Sequence, residues 1–262
     1  MNSIQVFAKR VVGGFALLAA LGLSPVAPAE DAGRAEVRAV QGTATYSAEG
    51  LPARSVKVGA VLTSGTVIKT DPGSSVDLFL GNSAGLVRLA ENSTLSLDKL
   101  VLIDTGAETA VEVQLHVPEG EMYFNVNKLS KAPRYEIKLP TGVAGIRGTK
   151  GSVSFRPGAD QKPPVILLEG KLVFVHVPVG GALTTHVMSA PPAVYFSPTE
   201  GVKNAPLALQ REVERELDDA ERKQPPKKDR AMNDKNNNNN SPRFTYDPEP
   251  VLSPGTGVPV RR

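Results

Sequence analysis

The feature that most limits the fold of this chain is a series of short β-rich runs across residues 36–196. Gly, Pro, Asn and Asp separate these runs at a spacing of about ten residues. Within Val111–Val117, apolar residues alternate with Glu112, Gln114 and His116. Period-two alternation places one face in a core and the other in water. No helical period occurs in this region, so we predict an all-β domain, sandwich-like or a short β-solenoid of many short strands.

The predicted strands follow the β-branched and aromatic runs between turn signals. They are Ala35–Val40, Thr43–Ser47, Thr66–Lys69, Ser75–Leu80, Leu86–Leu89, Thr94–Leu97, Val111–Val117, Glu121–Val126, Tyr135–Leu139, Gly151–Phe155, Val165–Leu168, Lys171–Val177, Thr184–Met188 and Ala193–Phe196. In the run Ser75–Leu80, the alternation predicts that Asp77 lies on the water-facing side together with Ser75 and Phe79.

Residue types also specify turns between the predicted strands. Asp71-Pro72-Gly73 predicts a tight turn, because Pro fixes φ and Gly accepts positive φ. Gly81-Asn82 follows a strand and fits a hairpin tip. Glu169-Gly170-Lys171 joins two apolar runs, and we predict a turn there as well.

The N-terminus has the pattern of a cleaved export signal rather than of a membrane anchor. Lys9 and Arg10 precede an apolar run, residues 11–23, and Ala27-Pro28-Ala29 offers small residues for cleavage before Glu30. The 13-residue run is shorter than the ~18 residues of a spanning helix. We therefore predict a signal peptide over residues 1–29, a periplasmic or secreted location, and no transmembrane segment after cleavage.

Composition excludes several classes of site. The chain has no cysteine, which rules out disulfides, a thiol nucleophile and Cys-based zinc sites. Without Lys9 and Arg10, the 30 basic residues become 28 against 27 acidic ones, a net charge of +1. The charges are interspersed rather than clustered on a basic face, so we expect no nucleic-acid partner.

Residues 201–224 have the pattern of an amphipathic helix. Leu209, Val213 and Leu217 recur at four-residue spacing with Ala220 nearby, and charged residues fill most of the other positions. Such a helix packs on the β domain, which we take as residues 30–200, or lies free; the alternative is a partner-binding or coiled-coil helix.

The helix has a predicted start and is followed by low-complexity sequence. We expect Asn204 to cap its N-terminus and Pro206 to occupy its first turn. Pro225-Pro226-Lys227-Lys228 and the polyasparagine run Asn236–Asn240 follow. Sequences of this kind cannot bury enough apolar surface to fold, so residues 225–262 are predicted to be a disordered tail.

A glycine-rich segment, Leu139–Thr149, stands out within the β region. After Pro140, glycines recur at every third position, Gly142, Gly145 and Gly148. A phosphate-binding loop needs Gly-Lys-Ser/Thr in that order, whereas here Thr149 precedes the lysine, and no βαβ context is present. We therefore predict a shape-defining motif in which Pro140, the glycines and Thr149 turn the strands, and no cofactor.

Three residues are candidates for binding. Arg147 is the one charged residue in the glycine segment; its donors would hold loop carbonyls, pair with a carboxylate or recognise an anionic ligand. Tyr123 and Phe124 are adjacent in a predicted strand, so one of the two rings must point outward. That ring either marks a surface site or is covered by the C-terminal helix.

The sequence contains no recognisable catalytic or metal-binding constellation. No serine lies in a Gly-x-Ser-x-Gly elbow. His116, His176 and His186 fall in separate predicted strands without the short spacing typical of metal ligands. We predict no catalytic residue and no metal site.

Several stretches together resemble a known family. Val58–Thr70 is similar to its opening, Gly73–Leu80 and Leu86–Leu97 to its central repeat, and Leu139–Thr149 to its glycine hallmark. These stretches resemble the FecR-type domain over residues 56–176. The resemblance implies a periplasmic all-β module, which in the best-known members relays an outer-membrane transport signal to a membrane-embedded anti-sigma segment. This chain is expected to be a stand-alone exported member without the anti-sigma and transmembrane regions.

These observations lead to a functional hypothesis with alternatives. We expect a non-enzymatic module that binds another envelope protein or acts as a scaffold, by strand-edge pairing or face contact. One alternative is a module that binds cell-wall glycan or polysaccharide. Others are an accessory to envelope signal transduction and a hydrolase with an unrecognised site.

Overall fold

The computed structural model describes residues 31–48, 51–81, 84–104, 109–127, 134–158 and 162–223. The predicted signal peptide and the predicted tail lie outside these residues, as does Asn82 of the predicted hairpin tip. By its internal contacts the chain divides into two units, and all described residues belong to the first, which ends at Gln224.

The described elements are sixteen strands and one helix. In chain order they are β1 (Asp31–Ala32), β2 (Ala35–Gln41), β3 (Ala44–Ser47), β4 (Arg54–Ser55), β5 (Val61–Leu62), β6 (Thr66–Thr70), β7 (Ser75–Phe79), β8 (Leu86–Leu89), β9 (Thr94–Asp104), β10 (Thr109–Asn125), β11 (Arg134–Leu139), β12 (Gly142–Phe155), β13 (Val165–His176), β14 (Thr184–Ala190), β15 (Val194–Ser197), β16 (Gly201–Asn204) and α1 (Leu207–Arg222).

All described strands belong to one hydrogen-bonded sheet, so the predicted all-β class is confirmed. Its longest path runs β16-β15-β13-β12-β11-β10-β8-β7-β2-β5, and the other strands branch from it. Among the described pairings, β10 with β11 is the parallel one, and the rest are antiparallel.

The long strands change neighbours part of the way along their length. The first half of β10, residues 112–116, lies between β9 and β11, whereas residues 122–125 lie between β8 and β12. One hydrophobic core therefore collects side chains from strands as distant in sequence as β2 and β15, including the fully buried Val37, Phe124 and Phe174.

Two predicted breaks are not breaks in the structure. The runs Val111–Val117 and Glu121–Val126 form the single strand β10, which passes through Gly120 at a φ of +103°. The predicted turn at Glu169-Gly170-Lys171 is wrong, because β13 continues through it with Gly170 at a φ of +91°. In both strands a glycine absorbs an irregularity in pairing, which a local pattern cannot distinguish from a turn.

The helix is confirmed, but its start differs from the prediction. Asn204 ends β16, and Pro206 occupies the N-cap position without a side-chain cap hydrogen bond, so the predicted Asn204 cap is wrong. The predicted apolar stripe is the face that packs on the sheet, with Val213, Leu217 and Ala220 buried.

Candidate functional site

The glycine segment lies in the middle of the sheet rather than in a loop. Pro140 and Thr141 form a two-residue connection between β11 and β12, with Leu139 paired to Gly142. Residues 142–149 of the hallmark belong to β12, which pairs with β13 along most of its length. Pro140–Gly142 therefore lies where the chain turns from β11 to β12, whereas Gly145 lies within a paired strand.

A paired irregularity interrupts β12 and β13 at the C-terminal end of the hallmark. The register shifts between Arg147 and Lys150, where Gly148 has a φ of +65°. A Cβ atom on Gly170 would lie 2.1 Å from the carbonyl oxygen of Gly148. Thr149 and Val126 exchange backbone hydrogen bonds of 3.1 and 2.9 Å, which tie this irregularity to the end of β10.

Arg147 lies on the exposed face of the sheet beside this irregularity. It is directly opposite Lys171 of β13, which is in turn opposite Ser189 of β14. All three side chains are exposed. Arg147 forms no salt bridge or side-chain hydrogen bond with any residue that the structure describes, so the described part of the fold makes no use of its guanidinium.

The two aromatic candidates are buried. Phe124 points into the main core, whereas Tyr123 is the outward ring and is 3% exposed because α1 covers it. Tyr123 packs with Ile166 and Leu168 of the sheet and with the helix stripe. Burial, together with the carboxylate of Glu121, raises the pKa of the Tyr123 phenol well above its usual range. Of the two alternatives for this ring, the structure therefore shows the covered one.

An ion-pair network that sequence reasoning missed fixes α1 on the sheet. The Arg88 guanidinium of β8 donates to both carboxylate oxygens of Asp77, at 2.6 and 2.8 Å. It also donates to the Asp219 carboxylate at 2.7 Å and to the Glu216 carbonyl at 3.0 Å. Asp77 is 1% exposed, so its predicted water-facing position is wrong: the helix covers that face.

A second ionic contact lies nearer the N-terminus of the same helix. The Lys162 ammonium lies 2.7 Å from the buried Glu121 carboxylate and 2.5 Å from Glu212 of α1. Burial is the largest single effect and lowers the pKa of Lys162, but the hydrogen bonds and charges of Glu121 and Glu212 together raise that pKa above its usual value. For the Arg88 network, the one sequence signal was the position of Arg88 inside the apolar run Leu86–Leu89.

The strand β14 is an exposed edge of the sheet. Among the described strands it pairs with β13 alone, so half of its backbone amide and carbonyl groups point away from the sheet. The sequence has no Lys, Arg, Asp or Glu between Lys171 and Glu200. Val187 of β14 and Val173 of β13 lie directly opposite each other and are 70% and 41% exposed.

The histidines are distributed between two places. His176 and His186 both pack against Phe196, with ring centroids 5.1 and 4.6 Å away, whereas His116 lies in β10. Burial, and to a lesser extent the charge of His186, lowers the pKa of His176 from its usual value. Within the described ranges, no group of three or more His, Cys, Asp or Glu residues is arranged to hold a metal ion.

In the described part of the chain no helix has the length and apolar character needed to cross a membrane.

Comparison with known proteins links part of this chain to one family. No curated protein and no solved structure matches the chain. The family model described as FecR protein matches residues 66–173, from the start of β6 to the middle of β13. Residues 66–173 are therefore a FecR domain, as the resemblance predicted.

Proposed function

We propose that this protein is a non-enzymatic binding module of the cell envelope, which holds a partner protein along the free edge of β14. The FecR domain supports a role related to envelope signal transduction. The signal-like N-terminus supports export to the periplasm or beyond. The observation on which the binding role rests is the uncharged, exposed strand β14.

Edge strands of this kind are unusual in a protein that must avoid self-association. Natural edges are commonly protected by lysine, proline, a bulge or a covering segment. The seven residues of β14, Thr184–Ala190, contain neither a charged residue nor a proline. An extended segment of a partner would pair with the outward backbone groups, and its side chains would contact Val187 of the edge strand.

The exposed apolar residues favour a protein partner over a glycan. Near this edge they are Val173, Val177, Val179, Leu183 and Val187, all aliphatic. Aliphatic side chains suit contact with the apolar residues of an added strand, whereas sugar rings usually stack on aromatic side chains. A strand partner fits both a scaffold and an accessory to signal transduction, and the two differ only in what the partner does.

This function is tested by immobilising the wild-type protein and its variants and measuring which envelope proteins each one retains. The variant Val187→Lys places a charge on the edge, and Val58→Lys is the matched control, because Val58 is 64% exposed and lies outside β14. We expect wild type and Val58→Lys to retain the same partner and Val187→Lys to lose it. Retention by Val187→Lys, or enrichment only on insoluble wall material, would contradict the proposal.

A further inference from the structure

Two cations face each other beside the glycine irregularity, in the row Arg147–Lys171–Ser189. Like charges directly opposite each other on neighbouring strands repel and destabilise a sheet. Neither Arg147 nor Lys171 has a carboxylate partner among the described residues. No salt bridge of the described residues offsets this repulsion, whereas an anion bound between the two cations would.

These two residues line a cleft with further hydrogen-bond donors. The cleft has a volume of about 770 Å³ and also includes Lys150, Thr149 and Ser189. Its charged lining consists of three cations and one carboxylate, that of Glu169. The Lys150 ammonium lies 3.7 Å from Glu221 of α1, so of the three cations it is the one with a carboxylate partner among the described residues.

The polar groups in the cleft are also incompletely paired. Thr149 is 2% exposed, and its buried hydroxyl has no hydrogen-bond partner among the described residues. Gly148 and Gly170 have no side chains to block approach to the backbone at this point. The exposed Arg147 guanidinium, Lys171 ammonium and Ser189 hydroxyl line one cleft and form a donor set for an oxyanion.

We propose that this cleft binds an oxyanion, the phosphate or carboxylate group of a ligand, between Arg147 and Lys171. The planar guanidinium binds two oxygens of the anion, and the Lys171 ammonium neutralises its charge. Bound anion converts the repulsion between the two cations into two attractive contacts. The site includes the Ser189 side chain of β14 but not the free backbone edge of that strand, so its test does not depend on partner binding.

Titration of the full-length protein with inorganic phosphate and, separately, with glucuronate tests the site. Amide chemical shifts report binding, and we expect Gly148, Thr149 and Gly170 to shift with at least one of these anions. A response to phosphate alone assigns a phosphate ligand, and a response to glucuronate alone assigns a carboxylate. A response to both assigns a general oxyanion site, and a response to neither would overturn the proposal.

Matched variants separate a specific site from general charge attraction. Arg147→Gln and Lys171→Gln each remove one cation from the cleft, and Lys57→Gln removes one from an exposed position elsewhere. We expect the first two to weaken binding about tenfold, the effect of one charge-assisted hydrogen bond, and Lys57→Gln to have no effect. Equal weakening by all three would contradict the proposal.

Thermal stability provides a readout that does not depend on chemical shifts. Because ligand binding stabilises the folded state, the anion should raise the Tm of the wild type but not of Arg147→Gln. Without anion, Arg147→Gln should melt at the same temperature as the wild type or higher, because the repulsion with Lys171 is gone. An equal rise in Tm with anion in both proteins would also overturn the site.

Discussion

Gly148 and Gly145 belong to the same motif but differ in what the backbone requires of them. Gly148 has a φ of +65°, which L-residues with a Cβ adopt only at a cost. Gly145 has an ordinary φ, and a Cβ there would come no closer than 3.8 Å to the Val173 carbonyl oxygen. The regular spacing of the glycines therefore does not reflect a common conformational need.

Substitution by alanine should separate the two glycines. We expect Gly148→Ala to lower the free energy of unfolding by about 1–2 kcal/mol, the cost of left-handed backbone. Gly145→Ala should be neutral or stabilise by about 0.5 kcal/mol, because it restricts only the unfolded chain. Urea unfolding of both variants measures the difference, and equal effects would show that the backbone at residue 148 is not strained.

The free energy of unfolding should fall when either member of the buried ion pair Arg88–Asp77 is removed alone. Arg88→Met leaves the carboxylate of Asp77 buried without its cation, which costs about 3–5 kcal/mol. The double variant Arg88→Met with Asp77→Leu should recover much of this loss, because no uncompensated charge remains. The exposed Arg215→Met is the control in the same unfolding assay. A double variant less stable than Arg88→Met would contradict this interpretation.

The lowered pKa of His176 predicts that the stability of the fold depends on pH. Its pKa in the folded state lies below the ordinary 6.5, because of burial and then the charge of His186. The unfolded chain therefore binds more protons just below pH 6.5, and stability should fall as the pH is lowered through this window. His176→Gln should flatten the change in urea midpoint between pH 7 and 5, whereas the control His116→Gln should retain it. An identical pH profile for wild type and His176→Gln would rule out this source.

At the scale of elements, α1 is held by an apolar stripe flanked by ion pairs. Leu217 is 2% exposed and packs in the cluster that covers Tyr123. Leu217→Ala should weaken the docking of α1 by about 2–5 kcal/mol. Hydrogen exchange should then accelerate in α1 and at residues 121–125, and the exposed control Glu214→Ala should leave it unchanged. Unchanged exchange in Leu217→Ala would show that the helix is held by other contacts.

The elements that could be predicted from sequence are those that depend on local patterns. The strand at Leu86–Leu89 and the stripe of α1 match their predictions, because alternation and helical spacing are set within a few residues. The position of Asp77 could not be predicted, because a helix more than a hundred residues later covers it. The facing cations Arg147 and Lys171 likewise depend on strand register, which alternation does not determine.

At the scale of the whole molecule, export is the expectation that most affects function. If the signal is cleaved as proposed, the mature protein begins at Glu30. N-terminal sequencing of the protein from the envelope fraction of expressing cells measures this directly. A protein that retains Met1 and stays in the cytoplasm would contradict an envelope role, whatever its binding properties.

Partner binding by strand pairing requires that the outward backbone amides of β14 form hydrogen bonds with the partner. Amide hydrogen exchange of the protein, alone and in complex with the retained partner, measures it. Outward amides within Thr184–Ala190 lack partners among the described strands, so we expect them to exchange quickly alone and to become protected in the complex. Protection confined to other parts of the domain, with β14 unchanged, would contradict strand pairing at this edge.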